Sequence, residues 1–411
     1  MSLGSVGVGE KATMRDIRPI PGVLVLGSDF KALGVIRSLG RHGIPAIVVD
    51  SQPRSAWFSR YVTRRFSWQG SLEDPMLAEY LLQIGRELHL QDWMLVAAQD
   101  DAVGLVAEHR DALAMVYRPT TPSWDVVRWA FDKRLTDRMA RETAVAYPGT
   151  WYPAHESDLD QLDLRFPVII KPAISIHMQH AARLKALPAA SLEELHTQYR
   201  IATGMVSSDE IMVQEVIPGG GASQVSVATL CLDGEIKQVM TARRRRQYPI
   251  DYGLGSSFVE SVYLPELIGP SERLLRYMRA TGMVEVEFKQ DPRDGEYKLL
   301  DINIRPWGWH TLCMACGLDL PYLQYQQMIG QSSPQLEPHY GTRWIRAATD
   351  VLAGVQEIRA SITTPWSYAR SLLGSNTYSV MYWRDPLPAF GDLAILAARF
   401  AHKPHAKEAY A

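Results

Sequence analysis

The sequence predicts a mixed fold, α/β in its N-terminal part and α+β beyond it, and three stretches carry that reading. "GVLVLGSDFKALGVIRSLGRHGIPAIVVD" (22–50) runs apolar strand, glycine turn, amphipathic helix, apolar strand, which is a βαβ unit. "DWMLVAAQDDAVGLVAEHR" (92–110) repeats the strand-to-helix step. "VEVEFKQDPRDGEYKLLDINIRP" (284–306) alternates apolar and polar residues on both sides of Asp291-Pro292-Arg293-Asp294-Gly295, a turn in which Pro presets φ and Gly supplies a permissive backbone. That pattern is an antiparallel hairpin.

The elements follow in order. Residues 1–18 lack the apolar core of a signal peptide and read as a disordered leader. A parallel-sheet domain is expected over 19–125. Its first turn, at Gly27, does not have the spacing of a dinucleotide fingerprint, so a Rossmann oxidoreductase is disfavoured. A second domain is expected over 126–340. It opens on a helical linker, and the strand "FPVIIKP" and a helix near Ser191–Ile201 follow. Then come the strand and glycine bend "IMVQEVIPGGGAS" and a hairpin turning at Asp233-Gly234. A helix over Ser271–Thr281 precedes the acidic hairpin, and another starts with Asp319 as its N-cap. Residues 341–411 read as a helical extension.

Composition narrows the function classes. A chain of 411 residues with 46% hydrophobic and 21% charged content is an ordinary globular one of roughly two or three domains. The net charge of -2 gives no electrostatic footprint for nucleic acid. Cys231, Cys313 and Cys316 are too few for a disulfide framework and point to a reducing, cytoplasmic setting. Cys313 and Cys316 form a C-x-x-C in an apolar helical stretch without a second ligand pair, which favours packing over metal binding. No apolar run is long enough to span a bilayer. The stretch "FGDLAILAARFAHKPHAK" near the C-terminus could lie on a membrane surface or pack on its own domain.

The chemistry concentrates in the hairpin at 284–306. Side chains alternate faces along a strand, so Val284, Val286, Phe288, Leu300, Ile302 and Ile304 share one face, while Glu285, Glu287, Asp301, Asn303 and Arg305 share the other. Glu287, Asp301 and Asn303 are hard oxygen ligands of the kind magnesium takes alongside water and phosphate. A salt-bridge cluster around Arg305 and Lys289 is the structural alternative. Lys171, at the end of an apolar strand, and Lys133, behind Asp132, could meet phosphates, and the bend after "MVQEV" could receive a base.

The order lysine, lysine at a strand end, Q-E-φ-φ bend, acidic strand and D-x-N-x-R resembles the ATP-grasp superfamily. Among its members the carboxylate–amine ligases, typified by D-aspartate ligase and the large subunit of carbamoyl-phosphate synthase, look most similar. The resemblance covers about 21–330. It implies a Rossmann-like pre-ATP-grasp domain, a lid at about 150–216, a catalytic antiparallel sheet and the helical extension. It further implies that Lys133 and Lys171 hold phosphates and that Gln214, Glu215, Ile217 and Gln224 contact the nucleotide. Glu287, Asp301 and Asn303 would bind magnesium, with manganese as a substitute, and Arg305 would face the reacting carboxylate.

Two departures from the family pattern are visible. Asp301 stands where Glu is more frequent. After Lys171 no glycine-rich phosphate loop occurs, leaving His177, His180 or Lys185 to contribute. The run Arg243–Arg246 alternates faces, so at most two of its members reach one site. Arg243 and Arg245 are the candidates to meet an anionic substrate beside Arg305, against the alternative of a solvated basic rim.

The expected activity is ATP-dependent ligation: γ-phosphoryl transfer makes a carboxylate an acyl phosphate, and an amine displaces phosphate. Catalysis rests on positioning and charge neutralisation. A phosphotransferase of the same fold, or an ATP-binding module without turnover, are the alternatives. The expected partners are a small carboxylate and a small amine, with no nucleic acid; a homodimer is left open.

Overall fold

The computed structural model describes residues 20–174, 186–251, 255–332, 334–374 and 376–401. The leader and the phosphate-loop candidates His177, His180 and Lys185 lie outside these residues, as does Gly253 of the segment after the arginine run.

Strands β1 (Val23–Leu26), β2 (Ala46–Asp50), β3 (Val62–Ser67), β4 (Trp93–Ala97) and β5 (Tyr117–Pro119) form a parallel sheet in the order β3-β2-β1-β4-β5. All four residues of β1 are wholly buried, as expected of a strand covered on both faces by helices. The chain leaves β1 toward β2 and later returns to lay β4 on its other side. That reversal puts a crevice outside the carboxyl ends of β1 and β4. Gly27 turns the chain there at φ +93°, and a side chain on it would press on Gln99. Asp50 Oδ2 ties the loop by accepting from the Ser28 amide and hydroxyl, both at 2.6 Å. Asp29 caps the helix Phe30–Arg41, its Oδ1 accepting from Lys31 N at 2.9 Å and Ala32 N at 3.3 Å.

A smaller sheet follows, β6 (Thr150–Trp151), β7 (Val168–Pro172), β8 (Leu187–Ala189) and β9 (Ile211–Glu215), in the order β6-β9-β7-β8. Val168, Ile170, Ile211 and Val213 pack with Leu195, Tyr199 and Ala202 of the helix Leu192–Thr203, which Ser191 caps. Period-2 alternation leaves Ile169, Lys171, Met212 and Gln214 on the opposite face, with Lys171 directly across from Met212.

The largest sheet has seven strands in the order β14-β13-β10-β11-β12-β15-β16: β10 (Gln224–Leu232), β11 (Glu235–Tyr248), β12 (Gly255–Ser261), β13 (Gly282–Gln290), β14 (Tyr297–Asn303), β15 (Arg343–Ile345) and β16 (Asn376–Tyr378). Asp233 and Gly234 turn β10 into β11 with positive φ, as the Asp-Gly pair requires. In the β13–β14 hairpin Glu285 faces Asn303 and Glu287 faces Asp301. A bulge between Glu287 and Phe288 shifts the register, so Phe288 pairs with Leu299. The sequence places Leu300 on the apolar face; the bulge gives that place to Leu299, which is 3% exposed. Val284, Val286, Phe288, Leu299, Ile302 and Ile304 share a core with the helices beneath the first sheet, each contributing about 1.5–3 kcal/mol by burial.

Beyond 340 the chain is helical over Ala347–Arg359, Pro365–Ser371 and Leu387–Ala401, and its strands β15 and β16 extend the large sheet. The last helix packs on Ser55–Phe58: Gly391 fits against the Phe58 ring, and Ser55 Oγ donates to Asp392 at 2.7 Å. Cys313 and Cys316 are free, fully buried and packed with Trp307, Trp309 and Trp344. Among the described residues no helix is long and apolar enough to cross a membrane.

Candidate active site

A cleft of about 530 Å³ opens where the carboxyl ends of β1 and β4 face the charged side of the β13–β14 hairpin. The first sheet contributes Asp29, Phe30, Lys31 and Asp100; the large sheet contributes Arg244, Glu285, Glu287, Asp301, Asn303 and Arg305. The loop Pro306–His310 seals the joint. Gly308 lies against the Phe30 ring, and Gly34 lies so close to His310 that a methyl group there would collide with the imidazole.

Each charged group on the hairpin face has a partner. Lys133 Nζ reaches Asp301 Oδ1. Lys133 is placed by Asp132, the N-cap of the helix Lys133–Glu142. Arg244 Nη2 donates to Glu287 Oε2 at 3.1 Å, and the same guanidinium reaches Ser256 Oγ at 2.8 Å, Gln247 Oε1 at 3.1 Å and Gln224 Oε1. Arg305 holds Asp100 with two bonds of 2.6 and 2.9 Å and donates to Asn303 Oδ1 at 3.0 Å. Three cations thus hold together a cluster of oxygens that would otherwise repel one another.

The electrostatics follow from burial. Glu285 is 2% exposed; desolvation, with Glu287 beside it, pushes its carboxyl up to about 8. Burial also raises Asp100, but Arg305 outweighs it and brings that carboxyl down to about 2. Burial lowers the Lys31 ammonium, and Asp29, at 3.5 Å, opposes the shift.

Lys133, Glu287, Asp301, Asn303 and Arg305 all line the cleft. Lys171, Gln214, Glu215, Ile217 and Gln224 do not line it. Lys171 stands near it: Asp137 feels the charges of both Lys171 and Lys133. Gln214 donates to Thr150 Oγ1 at 2.9 Å, Ile217 is 3% exposed, and Glu215 pairs with Arg293 at the hairpin turn.

The arginine run divides between faces. Arg244, and neither Arg243 nor Arg245, enters the cleft. Arg243 falls on the opposite face of β11, across from Val225, with its Nε buried and without a partner among the described residues. Arg245 turns outward to Glu260. Register shifts at Arg244–Arg246 break simple alternation and send Arg246 into a buried pair with Asp350.

Sequence reasoning also missed Lys31, Asp100 and Trp309. The signal for the first two was available: both follow parallel strands at the reversal of strand order. Trp309 had none, because only the return of the chain after Pro306 brings its indole to Glu285.

A family model described as "ATP-grasp in the biosynthetic pathway with Ter operon" matches residues 207–349, which include the whole acidic hairpin and Arg244. Over that segment the chain is similar to ATP-grasp proteins. The chain is 25% identical to the D-aspartate ligase of Enterococcus faecium (strain Aus0004) over 334 residues, 78% of this chain and 79% of that protein. In fold it is similar to the L-amino acid ligase from Bacillus licheniformis, with TM-score 0.60, 13% identity and 77% of each chain covered. It is likewise similar to the biotin carboxylase domain of the Hydrogenobacter thermophilus 2-oxoglutarate carboxylase, whose structure contains MgADP and bicarbonate: TM-score 0.63, 14% identity, 79% of this chain and 73% of that one.

Proposed function

We propose that the chain is an ATP-dependent carboxylate–amine ligase. One observation carries the reading: Lys133, Arg244 and Arg305 converge in one cleft on Glu287, Asp301 and Asn303. The relatives support it, since two of them are named as amino-acid ligases and the structure of a third contains MgADP.

The donor set suits magnesium bound together with a nucleotide. Among the described residues no group of three His, Cys, Asp or Glu could hold an ion by itself. Two carboxylates and an amide oxygen are nonetheless what Mg²⁺ takes when phosphates and water complete its shell. Glu287, Asp301 and Asn303 would hold it, and manganese would substitute. When bound, the cation neutralises the β- and γ-phosphates and keeps them aligned.

The residues do the rest by position. Lys133 and Lys171 offer point charges to phosphate oxygens; Gln214, Glu215, Ile217 and Gln224 are the proposed contacts around the nucleotide. Arg244 and Arg305 each present a planar fork, suited to a carboxylate and to the phosphoryl group it receives. The acyl phosphate is then open to an amine, with phosphate as leaving group. Helix and strand ends of the first sheet wall the cleft, with Phe30, Trp307 and Trp309 limiting water.

The test is ADP release across a panel of amino acids and small acids, with and without amines, followed by mass spectrometry of products. The ligase reading expects ADP and an amide only when acid and amine are both present. Phosphorylated acid or alcohol insensitive to amine would identify a phosphotransferase, and ATP binding without ADP under any pairing would identify a binding module.

A further inference from the structure

Glu285 lies on the charged face of the hairpin yet is not among the proposed ligands. We propose that it is a positioning residue: it fixes the Asn303 amide so that Oδ1, and not Nδ2, is offered to the cation. The proposal rests on the magnesium-nucleotide reading above.

An amide has two ends of nearly equal shape, and only its oxygen can ligate a hard cation. Asn303 Nδ2 donates to Glu285 Oε2 at 3.1 Å and to Glu287 Oε1 at 2.9 Å, while Oδ1 accepts from Arg305 at 3.0 Å. Glu287 is a ligand in the proposed set, and its Oε2 is already engaged by Arg244. Glu285 has no such second task. Its Oε1 is held from behind by Trp309 Nε1 at 2.7 Å, and Ser226 also bonds to it. An indole N–H can only donate, so Glu285 must present an acceptor to Trp309 and another to Asn303. A carboxyl does so in either protonation state, because each oxygen keeps an accepting lone pair. A glutamine cannot. Its NH₂ must face either the indole N–H or the Asn303 NH₂, and turning Asn303 over would set that NH₂ against Arg305.

This geometry dictates a rescue. Glu285→Gln should weaken cation binding by about 10- to 100-fold, the usual cost of losing a partner behind a ligand. Trp309→Phe removes the donor behind position 285. In Glu285→Gln/Trp309→Phe the glutamine NH₂ can turn toward the phenylalanine, and its oxygen can again accept from Asn303. The double variant should therefore bind the cation within about twofold of Trp309→Phe alone.

The experiment measures Mn²⁺ binding to the full chain with ADP by electron paramagnetic resonance. ADP affinity without metal and melting temperature are recorded on the same samples. The expected result is weak Mn²⁺ binding in Glu285→Gln, recovery in the double variant and metal-free ADP affinity unchanged throughout. Glu285→Asp, which keeps both acceptors, should fall between wild type and Glu285→Gln. The proposal is overturned if Glu285→Gln binds Mn²⁺ like wild type, if the double variant stays as weak as Glu285→Gln, or if Glu285→Asp is weaker than Glu285→Gln. A lowered melting temperature with unchanged Mn²⁺ affinity would show a merely structural carboxyl and would overturn it too. Absence of metal-dependent ADP binding in the wild type would instead sink the magnesium-nucleotide reading itself.

Discussion

Arg244 is the residue on which charge, position and reach coincide, and single substitutions separate it from its neighbours. It is nearly buried, and it spends its donors on Glu287 and Ser256, which line the cleft, and on Gln224 and Gln247 beside it. Losing a donor aimed at developing charge costs about 10²–10³ in turnover. Arg244→Ala should show a loss of that size in steady-state ADP release, while Arg245→Ala, whose partner Glu260 is outside the cleft, should stay near wild type. Equal losses in both would mean that the run acts as a diffuse basic rim. Glu287→Gln makes a complementary case. Glu287 is a proposed ligand whose charge Arg244 balances, so ADP release should fall by about 10²-fold or more in protein that remains folded. A fall in melting temperature with activity retained in the folded fraction would favour a structural ion-pair cluster.

At the scale of elements, two buried polar groups lock the site's walls. His310 is 1% exposed, its Nδ1 lies 2.7 Å from the Trp307 carbonyl, and its Nε2 packs on Gly34. Burial pulls its pKa from 6.5 down to about 4. The folded chain therefore resists a proton that the unfolded chain accepts. Stability from this group is fully present above pH 6.5 and is lost as the pH falls toward 4, by on the order of 3 kcal/mol. Denaturant midpoints across that window should slope downward with acid in the wild type and flatten in His310→Gln; an unchanged slope would reject the assignment. The second lock is Arg246, which grips Asp350 with bonds of 2.9 and 2.8 Å and pins the helix Ala347–Arg359 to β11. Asp350 also accepts from Ser257 at 3.1 Å. Asp350→Ala strands a buried guanidinium and should cost about 3–5 kcal/mol in denaturant unfolding. A change below about 1 kcal/mol would mean that the helix is held by packing alone.

At the scale of the whole molecule, the cleft belongs to no single sheet. Its floor is the hairpin, and its far wall is the crevice of the parallel sheet, joined by the Arg305–Asp100 pair. A ligand bound there ties the two sheets together and stabilises the native state by mass action. ATP with magnesium at a hundredfold excess over its Kd should add about 2.7 kcal/mol. The shift should shrink when magnesium is withheld and in Asn303→Ala. A magnesium-independent shift, equal in both proteins, would place the nucleotide away from the hairpin.

How much of this was legible beforehand depends on the range of the interactions involved. Strand alternation and turn chemistry act over a few residues, so the βαβ unit, the Asp233-Gly234 turn and the shared charged face of Glu287, Asp301 and Asn303 could be read directly from the chain. The ATP-grasp resemblance rested on the same local order of motifs. Register shifts and chain returns are set by packing between segments far apart in sequence. The bulge that exchanged Leu300 for Leu299, the irregularity that chose Arg244 over Arg243 and Arg245, and the pairing of Trp309 with Glu285 were therefore decided only in the folded molecule. The contribution of Lys31 and Asp100 is of the same kind, since neither is near the hairpin until two sheets meet. Sequence by itself determined which chemistry the chain carries; the tertiary structure decided which copy of each side chain delivers it, because a cleft is filled by whichever groups the packed backbone happens to aim there.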